Sequence, residues 1–362
     1  MRTPLRSPLR TILIAAVAGA VCVVMLPVQA HAATPTHKIA VLGDSWASGE
    51  GNTPYTAASA ADGCDQSTTA WAYKTVLPTG STVSSAQRAG TASVQFLACS
   101  GAQTKNLIDT SFKGHAPQVG QMSTSTNLVY LSISGNDLDF VGLITECALY
   151  GADTCQKGID RTRSTLMPHG LAGLRTILAN IRTRTPHAQV LVTGYAPLVG
   201  PSAAFFAATH TMLKDFALEY NTAERLAVDA FRTTSFNVKF VSLLPSFLTH
   251  ADGDTAGAWL FPVTGGVKSG HPNSTGTTQI AKLVTPLVLL PYGTCPTNIK
   301  KGMTGICVKE VQTHLNRYGY GLTVDGAFGS NTDAAVRAFQ RRVGLTDDGI
   351  VGPQTKLKLF LL

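Results

Sequence analysis

The chain has 362 residues, 44% of them hydrophobic and only 14% charged, with a formal net charge of +8. That length allows two or three domains at about 100–200 residues each, and the low charged fraction excludes a highly charged disordered chain. The positive charge invites a nucleic-acid reading, but three of the positives, Arg2, Arg6 and Arg10, precede an apolar run at the N-terminus.

That N-terminus reads as an export signal. Behind the three arginines, Thr11 to Leu26 is an almost unbroken apolar stretch, and Ala30-His31-Ala32 supplies the small residues of a cleavage site. Residues 1–32 are therefore expected to be a signal peptide, cleaved after Ala32. The apolar run is short of the roughly 20 residues that cross a bilayer, so no membrane span is expected in the mature chain. Cys22 belongs to the signal, because it follows Val21, where a lipid-attachment motif wants a small residue. Six cysteines remain, Cys64, Cys99, Cys147, Cys155, Cys295 and Cys307, an even count that in an exported chain points to disulfides. Proximity in sequence favours Cys64–Cys99, Cys147–Cys155 and Cys295–Cys307. The close Cys/His pairs of a zinc site are absent, and no metal is expected.

From Lys38 onward, short apolar runs alternate with helix-like segments, the ordering of a parallel α/β sheet. Strands are predicted at Lys38–Leu42, Ser93–Ala98, Leu128–Ile133, Gln189–Thr193 and Val238–Leu243. Helices are predicted at Leu171–Arg182, Phe205–Phe231 and Ser274–Leu290, the last capped by Asn273 or Ser274. Five strands with crossover helices imply a three-layer α/β/α sandwich, whose ligands bind beyond the carboxyl ends of the strands.

Pro291-Tyr292-Gly293-Thr294 breaks this pattern and places a domain boundary near residue 294. Charge changes there too: residues 33–294 hold 17 Lys+Arg against 16 Asp+Glu, whereas residues 295–362 hold 9 against 5. Residues 325–332 (DGAFGSNT) are echoed by residues 348–355 (DGIVGPQT), as two copies of a turn that starts a helix. Val308, Val311 and Leu315 share one face of a predicted helix, and Val336, Phe339 and Val343 share one face of the next.

The first strand ends in Gly43-Asp44-Ser45, which puts Ser45 at a strand-to-helix turn. Such a turn exposes a hydroxyl above the sheet, and the following helix start aims N–H groups at an anion forming on a substrate. The second strand runs into Cys99-Ser100-Gly101-Ala102 and the third into Ser134-Gly135-Asn136-Asp137. The N–H groups of Ser45 and Gly101 with the Asn136 amide would form an oxyanion hole, although each piece alone is also an ordinary turn. The base is sought among His37, His115, His169, His187, His210, His250, His271 and His314. His271 is preferred, because it sits in a loop leading into the last helix of the α/β region.

Gly43-Asp44-Ser45, Gly101, Gly135-Asn136-Asp137 and His271-Pro272-Asn273 together resemble the four blocks of the SGNH, or GDSL, hydrolase superfamily, in the usual order. The longer stretches at residues 43–52 (GDSWASGEGN) and 98–102 (ACSGA) look like secreted actinobacterial members. The resemblance covers about residues 36–290. It implies Ser45 as nucleophile, His271 as base, and Ser45, Gly101 and Asn136 as oxyanion donors. One departure stands out: Lys268 occupies the position, three residues before the histidine, where most members carry an acid. An ammonium has no acceptor for an imidazole N–H, so the Lys268 backbone carbonyl is expected to orient His271, with Asp252 or Asp254 as alternatives. Residues 296–362 resemble the three-helix peptidoglycan-binding domain of bacterial wall enzymes, through Val308, Val311, Gln312, Asp325-Gly326, Phe339, Gln340 and Asp348-Gly349.

These readings divide the chain into a signal peptide (1–32), a hydrolase domain (33–294) and a peptidoglycan-binding domain (295–362). The expected function is a secreted serine esterase or lipase, acting without cofactor or metal on an ester of a lipid or acylated glycan and held at the cell wall. Two alternatives accompany it: an O-acetyl esterase acting on peptidoglycan or polysaccharide, and a wall-binding protein of weak activity, motivated by Lys268. Nucleic acid is not an expected partner, since the larger domain is nearly neutral.

Overall fold

Short runs of branched apolar residues build the sheet. The computed structural model describes residues 37–203, 205–232, 236–254, 256–263, 266–290 and 295–360. The signal expected over residues 1–32 and the boundary expected at Pro291–Thr294 lie outside them. Five strands, β1 (His37–Gly43), β2 (Ala92–Phe96), β3 (Leu128–Ser132), β4 (Gln189–Thr193) and β5 (Val238–Val241), pair in the order β2-β1-β3-β4-β5, all parallel. Helices flank this sheet. Every residue of β3 and β4 is buried, as a sheet covered on both faces requires. Ile39 pairs with Val94 on one side and Leu128 on the other, which fixes the register at the centre.

This strand order decides where a ligand can bind. The chain leaves β1 to make β2 on one side, then returns to make β3 on the other, so β1 and β3 flank a topological switch point. Loops leaving their carboxyl ends diverge there and open a crevice.

All three predicted helices differ in extent, and the one predicted at Leu171–Arg182 runs over Met167–Arg184. The one predicted from Phe205 begins at His210, because Phe206 and Thr209 are taken up in turns and Thr209 Oγ1 donates to Cys147 O at 3.1 Å. The helix predicted to Leu290 stops at Val284 and tightens into a 3₁₀ turn, since Pro286 has no N–H to continue it. The stretch from Cys147 to Cys155, where no element is predicted, is the junction of two helices, Phe140–Leu149 and Gly151–Arg161. Gly151 takes the positive φ of 79° that the corner needs, and Leu143, Cys147, Cys155 and Ile159 supply the buried faces. Cys64–Cys99, Cys147–Cys155 and Cys295–Cys307 are bonded as expected. Among the described residues no helix is long and apolar enough to cross a membrane.

Helices Ile306–Arg317, Ser330–Arg342 and Pro353–Leu359 surround a second, separate core that includes Val308, Val311, Leu315, Val336 and Phe339. The sequence echo is reproduced there bond for bond. Gln312 Nε2 donates to Asp325 Oδ1 (2.8 Å), Ala327 O (3.1 Å) and Thr332 Oγ1 (3.1 Å), while its Oε1 accepts from Gly326 N (2.9 Å). Gln340 does the same with Asp348 (2.8 Å), Ile350 (3.0 Å), Thr355 (3.0 Å) and Gly349 N (3.0 Å). Each buried amide is thereby satisfied and ties one Asp-Gly turn to the helix before it.

This region meets the sheet edge through charged groups. Glu310 accepts from Leu290 N at 2.7 Å, and burial pushes its carboxyl up to about 7. Lys239 of β5 is buried with no hydrogen-bond partner for its Nζ, and burial, with Arg317 and Arg232 nearby, lowers it to about 7. His314 packs edge-on against Phe360, and burial, reinforced by Arg317 and Lys239, lowers it from 6.5 to about 2. A histidine whose folded pKa is depressed contributes full stability above its unfolded pKa and loses it as pH falls below that value. The loss approaches about 1.4 kcal/mol per pH unit below pH 6.5. Denaturant unfolding of the full chain between pH 7 and 5 should therefore show a steeper loss for the native protein than for His314→Leu. Equal slopes would mean that the imidazole titrates in the folded chain.

Candidate active site

The end of β1 is bent sharply into the crevice. Gly43 has φ 128°, and a β-carbon there would overlap the Ser132 carbonyl of β3. Asp44 N donates to that carbonyl at 3.0 Å. The buried Gln118 amide pairs with Gly43 on both sides, accepting from its N–H at 2.7 Å and donating to its C=O at 2.9 Å. The turn is thus locked before the functional residue begins.

Asp44 caps the helix Ser45–Ser48, accepting from Trp46 N at 3.0 Å, and Ser45 is its first residue. That helix is one turn long, so N–H groups close to Ser45, rather than an extended macrodipole, supply the positive potential expected at this turn. Asp44 also accepts from the Tyr195 hydroxyl. It is buried, and desolvation pushes its carboxyl up to about 7 against those two hydrogen bonds. Tyr195 accepts in turn from Gly135 N at 2.9 Å, so one hydroxyl joins the Ser45 turn to the loop after β3. Behind it, Ser134 pairs with the Tyr220 hydroxyl and donates to the buried Glu224 at 3.2 Å. Burial holds the Glu224 carboxyl well above its ordinary range.

Two further loops converge on the crevice. Gly101 is exposed with φ 85°, presenting backbone without a side chain. Asn136 Nδ2 donates to Ala102 O at 2.9 Å, which joins the loops after β2 and β3 and leaves the amide its second N–H. Asp137 is turned away, accepting from Thr104 N at 3.0 Å and Thr104 Oγ1 at 2.6 Å.

His271 reaches the same place from the loop before the helix Ser274–Val284. Asn273 caps that helix by accepting from Thr275 N and Gly276 N, both at 3.0 Å. Asn52, from the segment that follows the Ser45 turn, donates to Pro272 O at 2.7 Å. The His271 Nε2 lies 3.6 Å from Glu50 Oε2, and Glu50 N donates to Ser45 O at 3.1 Å. Burial lowers the imidazole pKa, and the Glu50 carboxylate opposes that. Nδ1 is buried without a hydrogen-bond partner. The Lys268 carbonyl accepts the His271 backbone N–H at 3.1 Å and also favours the protonated imidazole, without a hydrogen bond to Nδ1. Asp252 and Asp254 are engaged elsewhere, accepting from Val263 N at 3.0 Å and Ala251 N at 2.6 Å.

The other histidines with described contacts serve other ends. His37 faces Leu289 O from the start of β1, His115 pairs with Asp62, and His250 stacks on Trp259. Asp62, Cys64 and His115 approach one another, but Cys64 is committed to its disulfide and Asp62 to His115. Sequence reasoning passed over Glu50, Asn52, Gln118 and Tyr195. Tyr195 has a signal, since it lies two residues beyond β4 at a strand's carboxyl end, and Glu50 and Asn52 stand inside residues 43–52, the stretch that carries Ser45.

A serine turn and a histidine loop gathered at the switch point of a parallel sheet define a serine-hydrolase layout. Residues 41–278 match the GDSL-like Lipase/Acylhydrolase family, and residues 305–359 match a peptidoglycan binding domain. The chain belongs to the GDSL-like Lipase/Acylhydrolase family. It is 31% identical over 210 residues to Lipase 2 of Streptomyces coelicolor, an alignment covering 54% of this chain and 66% of that one. The structure of an extracellular lipase from Streptomyces rimosus superposes with a TM-score of 0.56 at 26% identity, covering 68% of this chain and 98% of that chain. The C-terminal region is 40% identical over 67 residues to the zinc D-Ala-D-Ala carboxypeptidase of Streptomyces albus G, covering 18% of this chain and 26% of that one.

Tyr195→Phe should destabilise the chain by about 1–3 kcal/mol, because it leaves the buried Gly135 N–H and Asp44 Oδ2 each without the hydroxyl they share, Asp44 keeping only its bond from Trp46 N. Thermal unfolding at pH 7 reads this directly. An unchanged midpoint would mean that the two loops hold their places without the hydroxyl.

Proposed function

We propose that the protein is an exported carboxylic ester hydrolase working through a Ser45–His271 acyl-enzyme mechanism and held at the cell wall by residues 295–362. The observation that carries this reading is the delivery of His271 to the nucleophile turn, with Nε2 3.6 Å from Glu50 and Glu50 N bonded to Ser45 O. His271 takes the Ser45 proton, and the hydroxyl oxygen attacks the ester carbonyl. The tetrahedral oxyanion is received by the N–H groups of Ser45 and Gly101 and the second Asn136 N–H, a set in which one donor is typically worth about 2.7–4 kcal/mol of barrier. His271 then gives its proton to the leaving alkoxide, and water hydrolyses the acyl-enzyme by the reverse sequence. The Lys268 backbone carbonyl, which favours the protonated imidazole, takes part in orienting it, so no side-chain acid is needed three residues before His271.

The expected division into a hydrolase domain (33–294) and a peptidoglycan-binding domain (295–362) is supported by the two separate cores and by the two family matches. A lipid ester is the first substrate class, on the similarity to the two Streptomyces lipases. An O-acetyl esterase acting on wall glycan is the second reading, favoured by the peptidoglycan-binding match beside the hydrolase. Acyl-chain preference separates them.

Hydrolysis of aryl esters from acetate to palmitate should fall roughly 10⁴-fold or more in Ser45→Ala and in His271→Ala, while both variants still sediment with purified peptidoglycan. Preference for long chains would establish the lipase reading, and an acetate-only profile that extends to O-acetylated wall would establish the second. Hydrolysis undiminished in Ser45→Ala would overturn the mechanism.

A further inference from the structure

The imidazolium formed when His271 accepts a proton is a cation largely shielded from water, and something must balance it. Burial alone disfavours that charge. Lys268 cannot supply the balance, since its side chain is itself a cation, with Nζ 5.6 Å from the centre of the Phe261 ring. Asp252 and Asp254 are bonded to backbone within their own loop. Among the described residues, Glu50 is the carboxylate within 4 Å of a His271 nitrogen, at 3.6 Å, and it is only 8% exposed.

Glu50 is also held from three directions. Its backbone N–H is bonded to Ser45 O at 3.1 Å, in the nucleophile turn. Its Oε2 accepts from Ser100 Oγ, the residue before Gly101. Ser100 is fixed in turn, with its N–H on Cys64 O at 3.0 Å and its carbonyl receiving Lys113 Nζ at 2.8 Å. On the far side, Gly51 lies so close to the Phe261 ring that a β-carbon would sit 2.6 Å from it, and Phe261 N donates to His271 O at 2.8 Å. The backbone around Glu50 and the backbone around His271 are therefore built against each other.

We propose that Glu50 is the positioning carboxylate of the site, holding His271 in place and balancing its positive charge during acyl transfer. The inference rests on the acyl-transfer reading above. A separation of 3.6 Å is too long for a hydrogen bond but short for an ion contact, so Nε2 keeps its lone pair for the Ser45 proton. The proton passes from Ser45 to His271 and then to the leaving alkoxide, and Glu50 takes no part in its transfer. Ser100 keeps the carboxylate from rotating away and links it to the loop that carries Gly101.

Glu50→Gln tests this, since it retains an acceptor for Ser100 and the side-chain shape while removing the charge. In the full chain, the acid limb of the kcat/KM–pH profile should move to lower pH by about one unit, as the imidazole loses the carboxylate that favours its charged form. The plateau should fall roughly tenfold, the factor equivalent to one pK unit. Glu50→Asp, which keeps the charge, should leave the limb near its native position. If Glu50→Gln does not fold, Glu50→Ala with added formate carries the comparison, with formate expected to restore both limb and rate. Ser45-dependent hydrolysis with an unmoved limb in Glu50→Gln, or no rescue by formate, would overturn the role of Glu50 and leave the esterase reading intact. Absence of any Ser45-dependent hydrolysis in the native chain would overturn that reading, and the proposal with it.

Discussion

Everything at the site depends on the close approach of Gly43 to Ser132. Two parallel strands meet there with no room for a side chain, and the chain leaves β1 already turned toward the crevice. The Asp44 N–H spends itself on the Ser132 carbonyl, so its side chain is free to cap the next turn. Ser45 is therefore placed by backbone geometry before any side-chain contact acts on it. Gln118 then completes the strand end, offering Gly43 the acceptor and donor that a neighbouring strand would otherwise provide.

From that fixed point, polar groups with little solvent around them carry the position outward. Tyr195 takes it from Asp44 to Gly135, Asn136 from the third loop to Ala102, Ser100 to Glu50, and Asn52 to the histidine loop. Buried polar networks are costly when incomplete and rigid when complete. The raised carboxyls of Asp44 and Glu224 mark that cost, since both are buried where desolvation outweighs their hydrogen bonds. A site assembled from four separate loops needs rigidity of this kind, because each loop on its own is only a turn.

The sequence made the strands legible because their apolar runs are short and regularly interrupted, and it made Ser45, Gly101, Asn136 and His271 legible because each stands just beyond a strand or before a helix. What escaped it depended on distance in the fold. Glu50 and His271 are 221 positions apart in the chain, and Tyr195 and Asp44 are 151 apart, so no local pattern pairs them. The helical junction at Cys147–Cys155 was hidden for another reason. Phe140–Leu149 carries a glycine and Gly151–Arg161 two glycines and two aspartates, all of weak helix preference, and burial of Leu143, Cys147 and Ile159 overrides it. Pro286 shortened the last helix through a plain local rule, a missing N–H, that apolar periodicity alone does not weigh.

The C-terminal region shows how far a repeated local rule can specify a small fold. Gln312 and Gln340 make the same four bonds to the same kinds of partner, so each helix is coupled to the turn after it by one buried amide. This leaves the outer faces of the helices unconstrained, and Lys309 and Arg341 lie exposed there, with Lys300 and Lys301 exposed in the turn before the first of them. The face toward the sheet behaves in the opposite way. Lys239, His314 and Glu310 are all shifted toward their uncharged forms by burial, which is what packing, rather than tethering, does to ionisable groups. The charge around this region is therefore divided: the ionisable groups packed against the sheet are pushed toward their neutral forms, and exposed lysines and arginines face outward, where an anionic wall polymer would meet them.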